Sequence, residues 1–200
     1  MVDLHDKWEA EGGREAMYFH PYLTPDSIVL EIGAYKGLWA SEISKKYDPY
    51  IYAFEPVPEF YEEATKKLAG RTKVGLFNFG LGARDENIEI FVNGDASGIG
   101  CLKGNSRMIS IRHIGKILCE KHLFTINIDL AQINCEGGEY ELLEEMLSQN
   151  LITKFDHLQI QFHDVVPEAK RKMENIFERL SVTHQMHYNY NFIFCCWSKK

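Results

Sequence analysis

Residues 27–37 read SIVLEIGAYKG, from Ser27 to Gly37. Ser27 to Ile32 is a short β-rich apolar run after the turn signal Thr24-Pro25-Asp26, and Leu38 to Tyr47 carries apolar residues at helical spacing. The stretch therefore predicts a strand, a glycine-bearing turn and a helix. The same grammar recurs along the chain. Tyr50 to Phe54 reads as a strand, and Pro58 to Leu68 as a helix with Pro in its first turn and Gly70 just past its end. Val74 to Phe79 predicts a third strand, and Ile88 to Val92 a short outlying one. Asn93 to Asn105, with four glycines among polar residues, reads as a long loop. Ile114 to Leu123 predicts a helix, Ile128 to Cys135 a strand, and Glu139 to Leu147 an amphipathic helix. Leu158 to His163 and Glu168 to Leu180 form a further strand and helix. His184 to Tyr188 and Phe192 to Trp197 read as a closing antiparallel hairpin. Five βα units and a hairpin predict an α/β fold, a doubly wound sheet with one reversed strand.

With 200 residues, the chain fits one domain built on one core, 1–200, in which 1–26 is an N-terminal helical or lid segment and 27–200 the sheet. A composition of 45% hydrophobic and 26% charged residues excludes collagen-like, disordered and disulfide-scaffold classes. The net charge of −7 has the wrong sign for a domain that binds by neutralising phosphates, so nucleic acid is a disfavoured partner. Lys45 with Lys46 and Lys66 with Lys67 fall in helix-like stretches and read as solvated faces. Five cysteines, Cys101, Cys119, Cys135, Cys195 and Cys196, with no C-x-x-C pair, fit reduced thiols and a cytoplasmic location. The N-terminus shows no signal peptide, and the longest apolar run, Phe192 to Trp197, is far short of a membrane span. Neighbouring domains in a longer protein are compatible with all of this.

In an open parallel sheet, ligands lie outside the carboxyl ends of the strands, so the residues just after each strand carry the chemistry. After the first strand stands Glu31-Ile32-Gly33-Ala34-Tyr35-Lys36-Gly37, an acid followed by glycines spaced G-x-x-x-G. This is neither the G-x-G-x-x-G dinucleotide fingerprint nor a phosphate loop. After the second strand, Phe54-Glu55-Pro56 puts a carboxylate 22 residues beyond Gly33. A carboxylate there can accept hydrogen bonds from both hydroxyls of a ribose. A surface glutamate before a turn is the alternative for Glu55 alone; with the glycine loop, a nucleoside is the better reading. After the fourth strand, Ile133-Asn134-Cys135-Glu136-Gly137-Gly138-Glu139 points Asn134 and Glu136 the same way, and paired glycines open the next helix. Glu139 alone is explained as an acid at a helix start.

VLEIGAYKG, YAFEPVPEF and INCEGGEYELL resemble the first, second and fourth strand-end motifs of the FkbM-type family of S-adenosylmethionine-dependent methyltransferases, over about Ile28 to Leu147. The resemblance implies a class I, Rossmann-like methyltransferase fold: a seven-stranded, mostly parallel sheet with an antiparallel last strand and helices on both faces. It implies S-adenosylmethionine as cofactor, with Gly33, Ala34 and Gly37 along its methionine part, Glu31 in support and Glu55 at the ribose; Tyr35 and Pro56 join the cofactor-binding set. Where the family usually has aspartate, this chain has Asn134, which keeps an acceptor and loses the charge; Asn134 and Glu136 are placed with the cofactor set. Phe79-Gly80-Leu81-Gly82 lacks the acid many methyltransferases offer adenine, leaving Gly80 and Leu81 to hold it through backbone and apolar contacts.

A hydroxyl acceptor must lose a proton, so a base is expected near the methyl group. His163 and Asp164 follow the fifth strand, and with Glu136 they are the candidate catalytic residues. A structural histidine is the alternative for His163. Glu136, His163 and Asp164 are also able to hold a divalent ion such as Mg²⁺, although metal-independent catalysis is preferred. His20 and Tyr22, in the aromatic cluster before strand one, with Ser97, Gly138 and Glu139, are the candidate substrate-binding residues. The expected reaction is methyl transfer to a hydroxyl of a carbohydrate, such as a deoxysugar like rhamnose in a glycan. A non-sugar natural product as acceptor, a noncatalytic nucleoside-binding module and a nicotinamide-dependent oxidoreductase remain open.

Overall fold

The computed structural model describes residues 4–92 and 105–200. Its main sheet has seven strands: β1 (Ile28–Ile32), β2 (Tyr50–Phe54), β3 (Val74–Phe77), β7 (Leu130–Ile133), β8 (His157–Ile160), β9 (His184–Tyr190) and β10 (Phe194–Lys199). Their order is β3-β2-β1-β7-β8-β10-β9. β10 runs antiparallel to both its neighbours, and every other pairing is parallel. This is the class I arrangement the motifs imply. The order reverses beside β1, which opens a crevice at the carboxyl ends of β1 and β7.

Helices cover both faces. α3 (Leu38–Tyr47) and α4 (Pro58–Leu68) bury Trp39, Ala40, Ile43, Ala64 and Leu68 against Val29, Ile51, Ala53 and Leu130. On the other face α5 (Ile114–Glu120), α6 (Glu139–Ser148) and α7 (Ala169–Leu180) bury Ile117, Leu143, Met146, Met173 and Ile176 against Leu30, Ile32, Ile133 and Ile160. Strand alternation sends Leu30 and Ile32 to one side and Val29 and Glu31 to the other, so both faces find helical partners. Helix caps match the sequence punctuation. Gly37 takes φ +72° before α3, and Pro58 opens α4, where its missing N–H costs nothing.

The structure departs from the sequence reading between β3 and α5. β3 ends at Phe77, and Gly80–Gly82 forms a separate strand, β4, in a second sheet ordered β4-β6-β5. β5 (Glu86–Val92) pairs antiparallel with β6 (Asn105–His113), which the sequence reading did not anticipate. Of the expected long loop, residues 93–104 lie outside the described residues and Asn105 already belongs to β6.

The segment before β1 packs on a sheet face. α1 (Leu4–Ala10) seats Trp8 on Phe194, with ring centroids 6.1 Å apart, and α2 (Gly13–Ala16) follows so closely that a Cβ at Gly13 would strike the Trp8 indole. Tyr22 stacks on His157 with centroids 3.5 Å apart, and the Trp39 indole N–H donates to the Met17 carbonyl at 3.0 Å. No described helix is long and apolar enough to cross a membrane.

Candidate active site

The turn after β1 is drawn onto β2 by its backbone. The N–H groups of Gly33 and Ala34 both donate to the Phe54 carbonyl at 3.0 Å. Gly33 sits at φ +91°, and a Cβ there would lie 1.8 Å from the Asn134 carbonyl oxygen. Glycine is thus required twice, by conformation and by the close approach of the β7–α6 loop. Glu55, at the end of β2, ties this turn in place: its Oε2 accepts from Tyr35 N at 2.7 Å and its Oε1 from Val57 N at 2.8 Å. Glu55 is 4% exposed, and burial pushes its carboxyl up to about 7 against the lowering pull of those two donors.

These elements enclose a cleft of about 370 Å³ at the carboxyl ends of β1, β2 and β7, in the size range of small-molecule sites. Gly33, Tyr35, Glu55, Pro56, Gly80, Leu81, Asn134, Glu136 and Gly138 all line it. Its opposite wall is apolar and comes from the second sheet: Ile88 and Ile90 of β5, with Ile109 and Ile111 of β6. Ile32, Val57, Phe60, Cys135 and Gln161 complete the lining. The sequence reading missed this wall. Its signal was the alternation Ile88, Ile90 and Ile109, Ile111, a half-buried strand pattern on both sides of the glycine-rich stretch. A larger open groove of about 920 Å³, between the N-terminal helices and the outer flank of α3, holds none of the strand-end residues.

Other expected site residues fall elsewhere. Glu31 is fully buried beneath α3, where the Ala40 N–H hydrogen-bonds it and desolvation raises its carboxyl well above the usual range. Strand alternation turns it under α3 instead of toward the cleft. Ala34 is buried in the core under α3. Gly37 faces α4, where a Cβ would lie 3.1 Å from that of Ala64; its smallness serves helix packing. His20 and Tyr22 do not line this cleft: they hydrogen-bond each other at 3.1 Å and pack against Trp39 and against His157 at the start of β8. Burial lowers His20 to about 4, so it is neutral. Asp164 is exposed beside Glu168 and Arg171, away from the cleft, because the chain turns outward after Phe162. Ser97 lies outside the described residues.

Glu139, expected among the substrate contacts, is a fully buried loop anchor. Its Oε2 accepts from Gly137 N and its Oε1 from His163 N, both at 2.8 Å. The His163 ring lies between two acids: Nδ1 is hydrogen-bonded to Glu139 Oε1 at 3.2 Å, while Nε2 stands 3.4 Å from Glu136 Oε1, within ion-pair distance but without hydrogen-bond geometry. Burial opposes charge on the ring, but the pairing with Glu136 and Glu139 outweighs it and raises His163 to about 9. Asn134 Oδ1 is buried with no protein partner. Glu136 and Tyr35 both hold left-handed conformations, φ +50° and +48°, the kind of local strain that clusters at functional sites. Among the described residues, no group of three His, Cys, Asp or Glu side chains has the geometry to hold a metal ion.

The cleft fits a nucleoside-bearing cofactor: a glycine turn without a Cβ, a buried carboxylate with acceptor capacity beyond its two backbone donors, and an orphaned amide oxygen are its polar features. Comparison with solved structures agrees at the level of fold. A methyltransferase FkbM from Methylobacillus flagellatus KT superposes with TM-score 0.55 at 13% identity, over 88% of this chain and 44% of that one. The chain thus spans less than half the length of that protein. A putative rRNA methylase from Clostridium thermocellum gives TM-score 0.58 at 10% identity, over 95% and 94% of the two chains. An rRNA methylase from Streptococcus thermophilus gives 0.53 at 13% identity, over 88% and 89%. No curated protein matches the sequence. Residues 31–192 match the model of the methyltransferase FkbM domain, which takes in every strand end described above, and the chain therefore belongs to the FkbM methyltransferase family, whose methyl donor is S-adenosylmethionine.

Proposed function

We propose that this chain is an O-methyltransferase that moves the methyl group of S-adenosylmethionine to a hydroxyl of a neutral, carbohydrate-type acceptor. The observation that carries the cofactor half is Glu55, buried at the cleft with both oxygens already aligned by Tyr35 N and Val57 N. An ionised carboxylate has about four acceptor sites, so room is left for a ribose diol. Gly33 supplies close backbone approach for the amino-acid tail, and Asn134 Oδ1 an acceptor for its ammonium. Leu81, Ile88, Ile90 and Val57 offer an apolar slot for the adenine. The bound cofactor supplies an already activated methyl group, so the protein's task is alignment and removal of the acceptor's proton.

The hydroxyl half is supported by the charge of the lining. Beside Asn134 stand Glu136, Gly138 and Gln161, and among the described lining residues none is Lys or Arg. Amide and carboxylate groups suit hydroxyl recognition, whereas a phosphate-bearing polymer would meet repulsion at Glu136 and a net charge of −7. Two measurements test the reading. S-adenosylhomocysteine should raise the melting temperature where NAD does not, and Glu55→Ala should abolish that rise. Labelled S-adenosylmethionine should then mark glycosides, and not structured RNA, in a panel containing both. Transfer to RNA alone would overturn the acceptor assignment and leave the cofactor assignment standing.

A further inference from the structure

Glu139 has an entirely buried side chain, and its neighbours define the charge state of His163. Ionised carboxylates only accept hydrogen bonds, while a neutral imidazole has one N–H to give. His163 faces a carboxylate with each ring nitrogen, Glu139 at 3.2 Å and Glu136 at 3.4 Å. Both contacts are attractive only if both nitrogens carry hydrogen. A buried carboxylate also needs a counter-charge, and among the described residues no Lys or Arg pairs with Glu139 or Glu136. The other titratable groups around the unit are Tyr140, whose hydroxyl donates to the His163 carbonyl at 2.7 Å, Asp164, next in the chain, and the buried Cys135 thiol, which feels both Glu139 and Glu136. None supplies positive charge.

We propose that Glu136, His163 and Glu139 form one unit in which His163 is a fixed cation that positions Glu136, and that Glu136 takes the proton of the acceptor hydroxyl. The proposal rests on the methyltransferase reading of the same cleft. Glu136 is the member that lines the cleft, with a side chain 32% exposed against 11% for His163. An imidazolium, held by Glu139 at Nδ1 and within ion-pair distance of Glu136 at Nε2, has no lone pair to receive a proton, so His163 is a positioning residue and not the base. The rise of His163 to about 9 is the expected companion of this geometry. In the transfer, the acceptor oxygen bonds to the methyl carbon as the carbon–sulfur bond breaks with its electron pair left on sulfur. The hydroxyl proton passes to a Glu136 carboxylate oxygen. One cation and one carboxylate become a neutral thioether and a carboxylic acid, so charge balances.

The test is a ring-nitrogen NMR titration of the ¹⁵N-histidine-labelled full chain, with His163→Asn used to assign the resonance. It needs no acceptor. His163 should remain doubly protonated through pH 8, and Glu139→Gln should lower its midpoint by at least one pH unit, whereas Glu141→Gln on the exposed side of α6 should leave it in place. Should Glu139→Gln fail to fold, Glu136→Gln must produce the same drop. A wild-type midpoint below pH 7, or no drop in either Gln variant, overturns the proposal. With an acceptor that turns over, Glu136→Gln should cost 10²-fold or more in kcat, on the scale of general-base removal, and His163→Lys should retain more activity than His163→Ala. Equal activity of Glu136→Gln and wild type overturns the base assignment. Calorimetry with S-adenosylhomocysteine separates the two levels: absent binding to wild type defeats the methyltransferase reading, while the titration still decides the charge of His163.

Discussion

Replacing Gly33 by alanine tests the central contact of the cleft. The new Cβ would lie 1.8 Å from the Asn134 carbonyl oxygen and 2.8 Å from its carbon, both backbone atoms that no rotamer change can move. The residue would also hold φ +91°, a cost of roughly 1–2 kcal/mol for a residue bearing a Cβ. Forcing the two loops apart adds about 1–3 kcal/mol, as for overpacked cores. The sum, about 2–5 kcal/mol, is a large part of an ordinary stability of about 5–15 kcal/mol. At about 2–4 °C per kcal/mol for a chain of this size, the melting temperature should fall by roughly 4–20 °C. Gly12→Ala is the control: it shares the positive φ, +79°, but its Cβ would meet nothing within 4 Å. Only the conformational cost applies there, so the drop should stay at the low end. Differential scanning calorimetry of both variants, with and without S-adenosylhomocysteine, makes the comparison, and Gly33→Ala should lose the ligand response as well. Equal melting shifts in the two variants, with ligand binding intact in both, would refute the close approach of the β1–α3 and β7–α6 loops as the feature that shapes the site.

Three further outcomes follow from the same geometry. Glu55 is raised to about 7 in the fold from about 4.3 in an unfolded chain, so its contribution to stability is full below about pH 4.3 and is lost as pH rises through about 7. Its ionised form is the better diol acceptor, so affinity for S-adenosylhomocysteine should climb several-fold from pH 6 to pH 8 and become flat in Glu55→Gln; calorimetry showing no pH dependence in wild type contradicts this. His163 is raised to about 9 from about 6.5 unfolded, so its stabilisation is complete below about pH 6.5 and disappears as pH passes about 9. The melting temperature should decline between pH 7 and 9.5 in wild type with a shallower slope in His163→Asn, and parallel slopes would count against the paired cation. Ile90 is 4% exposed and packs with Val57, Phe60 and Ile109, so Ile90→Ala should cost about 2–4 kcal/mol in urea unfolding and loosen ligand binding. A loss below about 0.5 kcal/mol would show that the second sheet does not seal the cleft.

The strands and helices of the main sheet were legible because their residues repeat at periods set by local geometry. Leu30, Ile32 and Phe54 on one face of the sheet alternate with Val29, Ile51 and Ala53 on the other, and Leu142, Leu143 and Met146 recur at helical spacing in α6. β6 was not legible. Asn105–His113 carries only Met108, Ile109 and Ile111 as apolar residues, with Met108 exposed, so its pattern is weak until β5 and the cleft are set against it. The motif residues Gly33, Glu55 and Asn134 could be named from their positions after strands, because a parallel sheet presents those positions at one edge. Glu31, Ala34 and Gly37 share the first motif yet turn into α3, the core and α4, since neighbours along a chain point to different sides.

Local order and charge type were thus written in the amino-acid sequence itself: the βα alternation, the reversed last strand, the glycine turn and the carboxylate that follows β2. Tertiary structure alone decided which groups meet. The Gly33–Asn134 approach joins residues 101 positions apart, and the Glu136–His163–Glu139 unit depends on a helix and two loops converging. Periodicity reports the direction of a side chain relative to its own element. Distance, burial and therefore proton affinity depend on every element packed around it, and these exist only once the sheet has closed the crevice.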